Sequence, residues 1–305
     1  MTDLIPNVYH FVFGLRPQTE PFHLMHYLCL ASCLAVAKPD AIHFHYRNEP
    51  FGPLWDRIKP ALVLRRVEPV DFVSNYAYTD PRIAAFSYAH AADFLRLEIL
   101  VAEGGFYADM DTLFVRPPPT AWADRHCILG RETPPPEARG AGSLCNAWIG
   151  ARKGSAFLEL WLGLMQEAFD GSWSSHSTLL PHRLAQLHPD LVHVEPQAAF
   201  FALDWTRAGL TDLFLRDVPL PDDAYSLHLW SHLWFDAKRH DFIDFHHGLL
   251  TEDYLAFART TYARLARPFL PAGARPSRAR FLAQRARLLA HAPRGHLAAW
   301  IRRRK

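Results

Sequence analysis

Only four cysteines occur in 305 residues, and they show no paired framework. A disulfide scaffold is therefore excluded, and a reducing compartment is expected. An uncharged apolar run of about 18 residues is missing too, so a spanning helix is not expected at a mean hydropathy of -0.10. The N-terminus has no basic stretch ahead of an apolar one, so no secretory signal is expected. Internal repeats of useful length are absent. From Tyr254 to Lys305 there is no Asp or Glu at all, against thirteen Arg or Lys. The first 253 residues then hold 20 basic and 31 acidic residues, a net charge of −11 inside a total of +2. An acidic body with a basic tail implies an anionic partner for the tail, either a membrane surface or nucleic acid. What the chain does have is apolar mass. Hydrophobic residues make up 50% and charged residues 21%, enough for a sizeable core and too little charge for wholesale disorder. A soluble, cytoplasmic α/β protein is expected.

Residues 5–14 read as a buried strand that ends at a glycine turn. A helix follows over about 21–37, a second strand over 41–46, and a third over 65–70. Strands alternating with helices imply parallel βα units, hence an open sheet with helices on both faces. A helix over about 89–103 carries Phe94, Leu97 and Leu100, and Gly104-Gly105 stops it. Residues 106–114 read as one strand, closed by Arg116-Pro117-Pro118-Pro119. Residues 146–151 form another, with Ser155 as the cap of a helix over 156–169. The polar stretch 171–189, rich in His and Ser, is expected to be irregular. A main domain over 1–270 and a basic helical tail over 271–305 complete the expected organisation.

Asp109-Met110-Asp111 is a weak signal alone, because Asp-x-Asp arises by chance in a chain of this length. Its context raises its value. In a strand, Tyr107, Asp109 and Asp111 share one face and Phe106, Ala108 and Met110 the other. Two carboxylates would then emerge together and suit a hard divalent cation with positions left open for phosphate oxygens. Upstream, Asp93 and Arg96 are three apart on a helix and share a face. Such a pair could bind sugar hydroxyls and a phosphate together, the planar guanidinium suiting the phosphate. The bland readings are a solvated acidic turn and an ordinary helical ion pair.

The whole run Asp93-x2-Arg96-x7-Gly104-Gly105-x-Tyr107-x-Asp109-x-Asp111 resembles the sugar-binding region of DXD-containing glycosyltransferases. The family is number thirty-two, which includes Och1-like and capsular polysaccharide types. More distantly it is similar to the catalytic domain of the clostridial glucosylating toxins. The resemblance covers residues 85–117 specifically and 5–45 and 140–235 more loosely. It implies a GT-A-type Rossmann-like open mixed sheet, a nucleotide-sugar donor, Mn2+ (or Mg2+), and transfer with retention of configuration. Asp109 and Asp111 match the metal-diphosphate aspartates, Asp93 and Arg96 the donor-sugar contacts, and Tyr107 the aromatic between the glycines and the metal motif. Phe13 stands where a Trp that stacks on the base is commoner. Asn146 matches an Asn that opens a strand. In the segment Tyr225 to Trp234, His228 would join the metal site, and Trp230 and Trp234 would cover the donor. The segment departs from the common pattern at Leu233, which leaves His232 as an alternative metal ligand to His228.

The chemistry implied is Lewis-acid assistance to a leaving diphosphate. No second carboxylate stands out as a covalent nucleophile, so departure and attack on one face are preferred. A UDP-sugar is favoured over a GDP-sugar, and the acceptor is a glycan or a lipid-linked molecule at the inner membrane face. Alternatives are a glycoside hydrolase with paired carboxylates, or a nucleotide- or carbohydrate-binding module without turnover. A Ser-His-Asp hydrolase has no nucleophile elbow to support it. His23, His26, Cys29 and Cys33 share one helix and read as packing, since one helix rarely gives a tetrahedral ion more than two ligands. His43, His45, His246 and His247 are too scattered to assign. In the tail, residues 277–291 form a helix with Phe281, Leu282, Leu288 and Leu289 on one side. Trp300 and Arg302 to Lys305 follow. That pattern suits a peripheral helix on anionic lipid, or a solvated helix packed on the body. Nucleic acid is set aside because no reading module accompanies the charge.

Overall fold

A computed structural model describes residues 4–238 and 242–291. Among the described residues, nine strands form two sheets. They are β1 (Val8–Phe13), β2 (Ala41–Tyr46), β3 (Val63–Arg66), β4 (Gly105–Ala108), β5 (Thr112–Phe114), β6 (Cys127–Arg131), β7 (Leu144–Ala151), β8 (His193–Glu195) and β9 (Ser226–His228). Seven of them run in the order β3-β2-β1-β4-β7-β6-β8, while β5 and β9 pair separately. Neighbours β3, β2, β1 and β4 are parallel, and β7 runs antiparallel to both β4 and β6. This is the expected open mixed sheet.

Alternation along the strands gives each face its own core. Tyr9, Phe11, Phe44, Phe106 and Trp148 pack on one face with helices Leu24–Ser32 and Arg207–Phe214. Val12, Tyr107, Leu129 and Ile149 pack on the other with helices Ser87–Glu103 and Ala156–Ala168. Helices on both faces follow from strands that are apolar on both sides. Gly104 and Gly105 join helix Ser87–Glu103 to β4 at φ of 70° and 110°. A Cβ on Gly105 would stand 2.5 Å from the Val8 carbonyl oxygen, so only glycine lets β4 lie this close to β1.

Four expectations are corrected. The third strand lies at Val63–Arg66 and stops before Pro69, which has no N–H for a ladder. Residues 106–114 are not one strand. The chain leaves the main sheet after Ala108, turns through Asp109, Met110 and Asp111, and enters the second sheet at Thr112. The segment 171–189 is largely helical, with a π-turn at Ser175–Leu179 and helix Leu180–Leu187, because Leu180 and Leu184 recur at helical spacing and are buried. Ser155 stands at the N-cap position of helix Ala156–Ala168 without its hydroxyl capping it.

Helix Arg278–His291 begins against the body. Phe281 is buried, and the Arg280 guanidinium grips Asp253 with two bonds of 2.8 and 2.9 Å. Leu282, expected on the same apolar side, is exposed. The side chains of Leu288 and Leu289, and Trp300 to Lys305, lie outside the described residues. Among the described residues no helix is long and apolar enough to cross a membrane.

Candidate donor and metal site

The switch between sheets builds the site. Asp109 continues the main ladder by one bond, its N–H donating to the Ala147 carbonyl at 2.9 Å. The turn then closes with the Thr112 N–H donating to the Asp109 carbonyl at 3.0 Å. His26 Nδ1 meets the Met110 carbonyl at 3.1 Å, and the Cys29 thiol reaches the Asp109 carbonyl at 3.5 Å. The His and Cys of helix Leu24–Ser32 thus shape this turn. In the second sheet Thr112 lies opposite His228, and the Leu229 N–H donates to the Asp111 carbonyl at 2.9 Å. His228 is brought beside the two aspartates by strand register, although 117 positions separate it from Asp111.

His228 Nε2 lies 3.0 Å from Asp111 Oδ1 and 3.6 Å from Asp109 Oδ2. Neither ring nitrogen of His228 makes a hydrogen bond of acceptable geometry, although the ring is buried. Each of the three side chains offers a ligand atom within 4.8 Å of the other two. Adjacent ligand atoms of an octahedral ion at about 2.0–2.1 Å lie roughly 2.9 Å apart, close to the 3.0 Å between His228 Nε2 and Asp111 Oδ1. These residues therefore fit a divalent cation. Burial alone would lower the His228 pKa, but Asp111 and Asp109 outweigh it and push it up to about 10. Burial likewise opposes ionisation of Asp111, yet His228 and the Ser231 N–H, which donates to Oδ2 at 2.7 Å, hold its pKa well below the usual carboxylate range.

Behind this cluster lies a closed polar network. Arg96 Nη2 pairs with Asp93 Oδ1 at 3.0 Å, and Nη1 lies 3.3 Å from Asp109 Oδ1 and donates to the Asn146 carbonyl at 2.7 Å. The guanidinium carbon sits 4.6 Å over the Tyr107 ring, and the Tyr107 hydroxyl donates to Asp109 Oδ1 at 2.6 Å. Asn146 Nδ2 donates to Asp93 Oδ1 at 2.7 Å. His176 Nε2 meets Asp93 Oδ2 at 2.9 Å. Burial would raise the Asp93 pKa, but Arg96 and His176 outweigh it and hold the carboxyl below its ordinary value.

The structure therefore brings together Asp93, Arg96, Tyr107, Asp109, Asp111, Asn146 and His228. Phe13 stands at the end of β1, half-buried, with its ring 4.6 Å from His26. Trp230 packs edge-on against His228 at 4.3 Å and donates from Nε1 to the Leu203 carbonyl at 3.0 Å. The ring of His232 stacks on Trp173 at 4.9 Å. Trp234 does not line the cluster. It is wholly buried between Phe214 and Phe245, with ring centroids at 4.5 and 5.5 Å. Trp234→Ala is accordingly expected to cost about 3–5 kcal/mol of folding stability, read by urea denaturation. A variant as stable as the parent would mean that the indole is not a core residue.

Two buried groups were not foreseen. His176 lay in the segment read as irregular, and no spacing in the sequence ties it to Asp93. Glu132, just past β6, is buried with Oε1 accepting from the Ser143 hydroxyl at 2.5 Å, and burial raises its pKa.

Residues 39–129 match the family model described as a glycosyltransferase sugar-binding region containing the DXD motif. Glucan organizing enzyme 1 of Cryptococcus neoformans var. grubii is 37% identical over 213 residues, covering 66% of this chain and 55% of that protein. The chain thus spans about half the length of that curated relative. Among solved structures, PaToxG glycosyltransferase is 18% identical, with a TM-score of 0.44 over 61% of this chain and 71% of its own. The galactosyltransferase LgtC, in complex with donor and acceptor sugar analogs, is 15% identical, with a TM-score of 0.45 over 77% and 90%. Over residues 39–129, what the chain is similar to is the sugar-binding region of the DXD glycosyltransferases.

Proposed function

We propose that the chain is a metal-dependent, retaining glycosyltransferase of family thirty-two and GT-A type. It would take a nucleotide-sugar donor, UDP-linked in preference to GDP-linked, and serve a glycan or lipid-linked acceptor. The observation that carries this reading is the convergence of Asp109, Asp111 and His228 beside the Asp93–Arg96 network. The match of residues 39–129 supports it. The reading extends to a catalytic domain over 1–270 and a basic tail over 271–305, acting in the cytoplasm at the inner membrane face. The ten basic residues of 271–305, with no acid among them, support an anionic surface as the tail's partner.

What a divalent cation supplies when bound at such a site is neutralisation of charge on a departing diphosphate. Asp109 and Asp111 are the carboxylates that hold it, with His228 as the third ligand once its proton is lost. Arg96 and Tyr107 lock Asp109 in one rotamer, so the site is set before ligand arrives. Phe13, partly exposed at the end of β1, is the ring proposed to stack on the base. A glycosidase pair needs carboxyls about 5–9.5 Å apart on opposite walls. Here both carboxylates offer oxygens within 4.8 Å of each other and of His228, from one turn, which leaves no room for a sugar between them.

Thermal unfolding with manganese and UDP, then GDP, each with and without EDTA, tests this reading. At 100 times its Kd a ligand stabilises the native state by about 2.7 kcal/mol. A rise with UDP that EDTA abolishes, and a smaller rise with GDP, is expected. No rise with either nucleotide in manganese would overturn the reading.

A further inference from the structure

A second cluster of ligand-type side chains lies on β1 and β2 and shares no residue with the first. His43 and His45 alternate along β2 and so share a face. His10 on β1 is in parallel register with His43, on that same face. The three imidazoles each offer a ring nitrogen within 4.8 Å of the others. His10 and His45 are buried, and His43 is partly open to solvent.

Hydrogen bonding fixes which nitrogens are bare. His10 Nε2 lies 2.9 Å from the Gly104 carbonyl oxygen, so Nε2 carries the proton and Nδ1 presents its lone pair. That Nδ1 is 3.1 Å from His45 Nε2. Two nitrogens each about 2.0–2.1 Å from a tetrahedral zinc lie roughly 3.3 Å apart, close to this separation. His43 Nδ1 lies 3.0 Å from Glu103 Oε2, which leaves Nε2 bare. An outer carbonyl on one imidazole and an outer carboxylate on another are the partners that orient metal-bound histidines.

We propose that His10, His43 and His45 form a second metal site, taking a first-row transition cation of the zinc type, with Glu103 and the Gly104 carbonyl as outer partners. Imidazole suits such ions better than it suits magnesium or calcium. Binding needs neutral rings, and burial of His10 and His45 favours the neutral form. The charged neighbours are Glu103 and Arg65, the latter in register with His45 on β3 and exposed. A metal taken here would replace the proton now shared by His10 and His45. It would staple β1, β2 and the end of helix Ser87–Glu103, directly ahead of the glycines that lead into the Asp109 turn.

Zinc binding to the full chain, measured by equilibrium dialysis at neutral pH with Zn2+ as the probe, tests the site. Co2+ absorption gives its geometry. The parent and Asp111→Asn should both retain one tightly held zinc with tetrahedral cobalt bands. His43→Ala should lower that affinity at least tenfold and abolish the bands, with manganese binding unchanged. Glu103→Gln, at an exposed position, should weaken zinc by roughly tenfold. Unchanged zinc affinity in both His43→Ala and Glu103→Gln, or loss of the tight zinc in Asp111→Asn, would overturn the proposal.

Discussion

Asp111→Asn is expected to abolish manganese-dependent stabilisation by nucleotide and to lower sugar transfer by roughly a thousandfold. That corresponds to the several kcal/mol that a bound cation supplies to a developing anion. The substitution keeps the shape of the side chain. An amide oxygen can still accept from the Ser231 N–H, as Oδ2 does at 2.7 Å, so the loop that carries Trp230 keeps its anchor. What is lost is the charge facing His228 Nε2 at 3.0 Å. Asp111 is the carboxylate that chiefly holds the His228 proton against burial, so in the variant the imidazolium is weakened and the oxygen proposed as a hard ligand loses its charge. Asp109 alone, partly exposed and already bound by Tyr107 and Arg96, cannot replace it. Thermal unfolding with and without manganese, beside a transfer assay, checks the result. Near-normal metal-dependent transfer by a folded variant would show that these aspartates do not hold the metal.

The motif was legible in the sequence, but its geometry was not. A strand reading of residues 106–114 put Asp109 and Asp111 on one face by alternation. They converge instead because the chain turns between two sheets. The partner that decides this, β9, comes more than a hundred positions later and is short. Local pattern carries no information about such a pairing. It did carry β2, which spans Ala41–Tyr46 as expected, and the glycine stop after Glu103, because each is set by residues close in sequence. The histidines on β1 and β2 looked scattered only while the register was unknown. Once β1 lies beside β2, the alternation of His43 and His45 and the position of His10 coincide. Trp234 differs: only the resemblance made it a cover for the donor, and past the turn at Trp230, with φ of 54°, it is buried in the core.

Arg96→Leu is expected to cost about 3–5 kcal/mol of stability, the usual effect of removing one member of a buried charge pair. At about 2–4 °C per kcal/mol for large domains, the melting temperature should fall by roughly 10 °C. Arg96 is buried and meets two carboxylates, two carbonyls and one aromatic face, so no water can take its place cheaply. The loss should depend on pH, and its sign follows from Asp93. In the parent, the Asp93 pKa lies below its unfolded value, so its stabilisation is present above the ordinary carboxylate range and is lost as pH falls through the native pKa. Without Arg96, burial is opposed mainly by His176, and the native pKa moves up. The carboxyl then favours folding when protonated, and its contribution is lost as pH rises. The gap between parent and variant should therefore be widest near neutral pH and narrow toward about pH 4. Arg96→Lys keeps the charge without the planar fork and should fall between the two. Urea denaturation of all three proteins across that range decides the matter. A gap that stays constant with pH would mean that Arg96 supports the fold by packing over Tyr107 and not by pairing with Asp93.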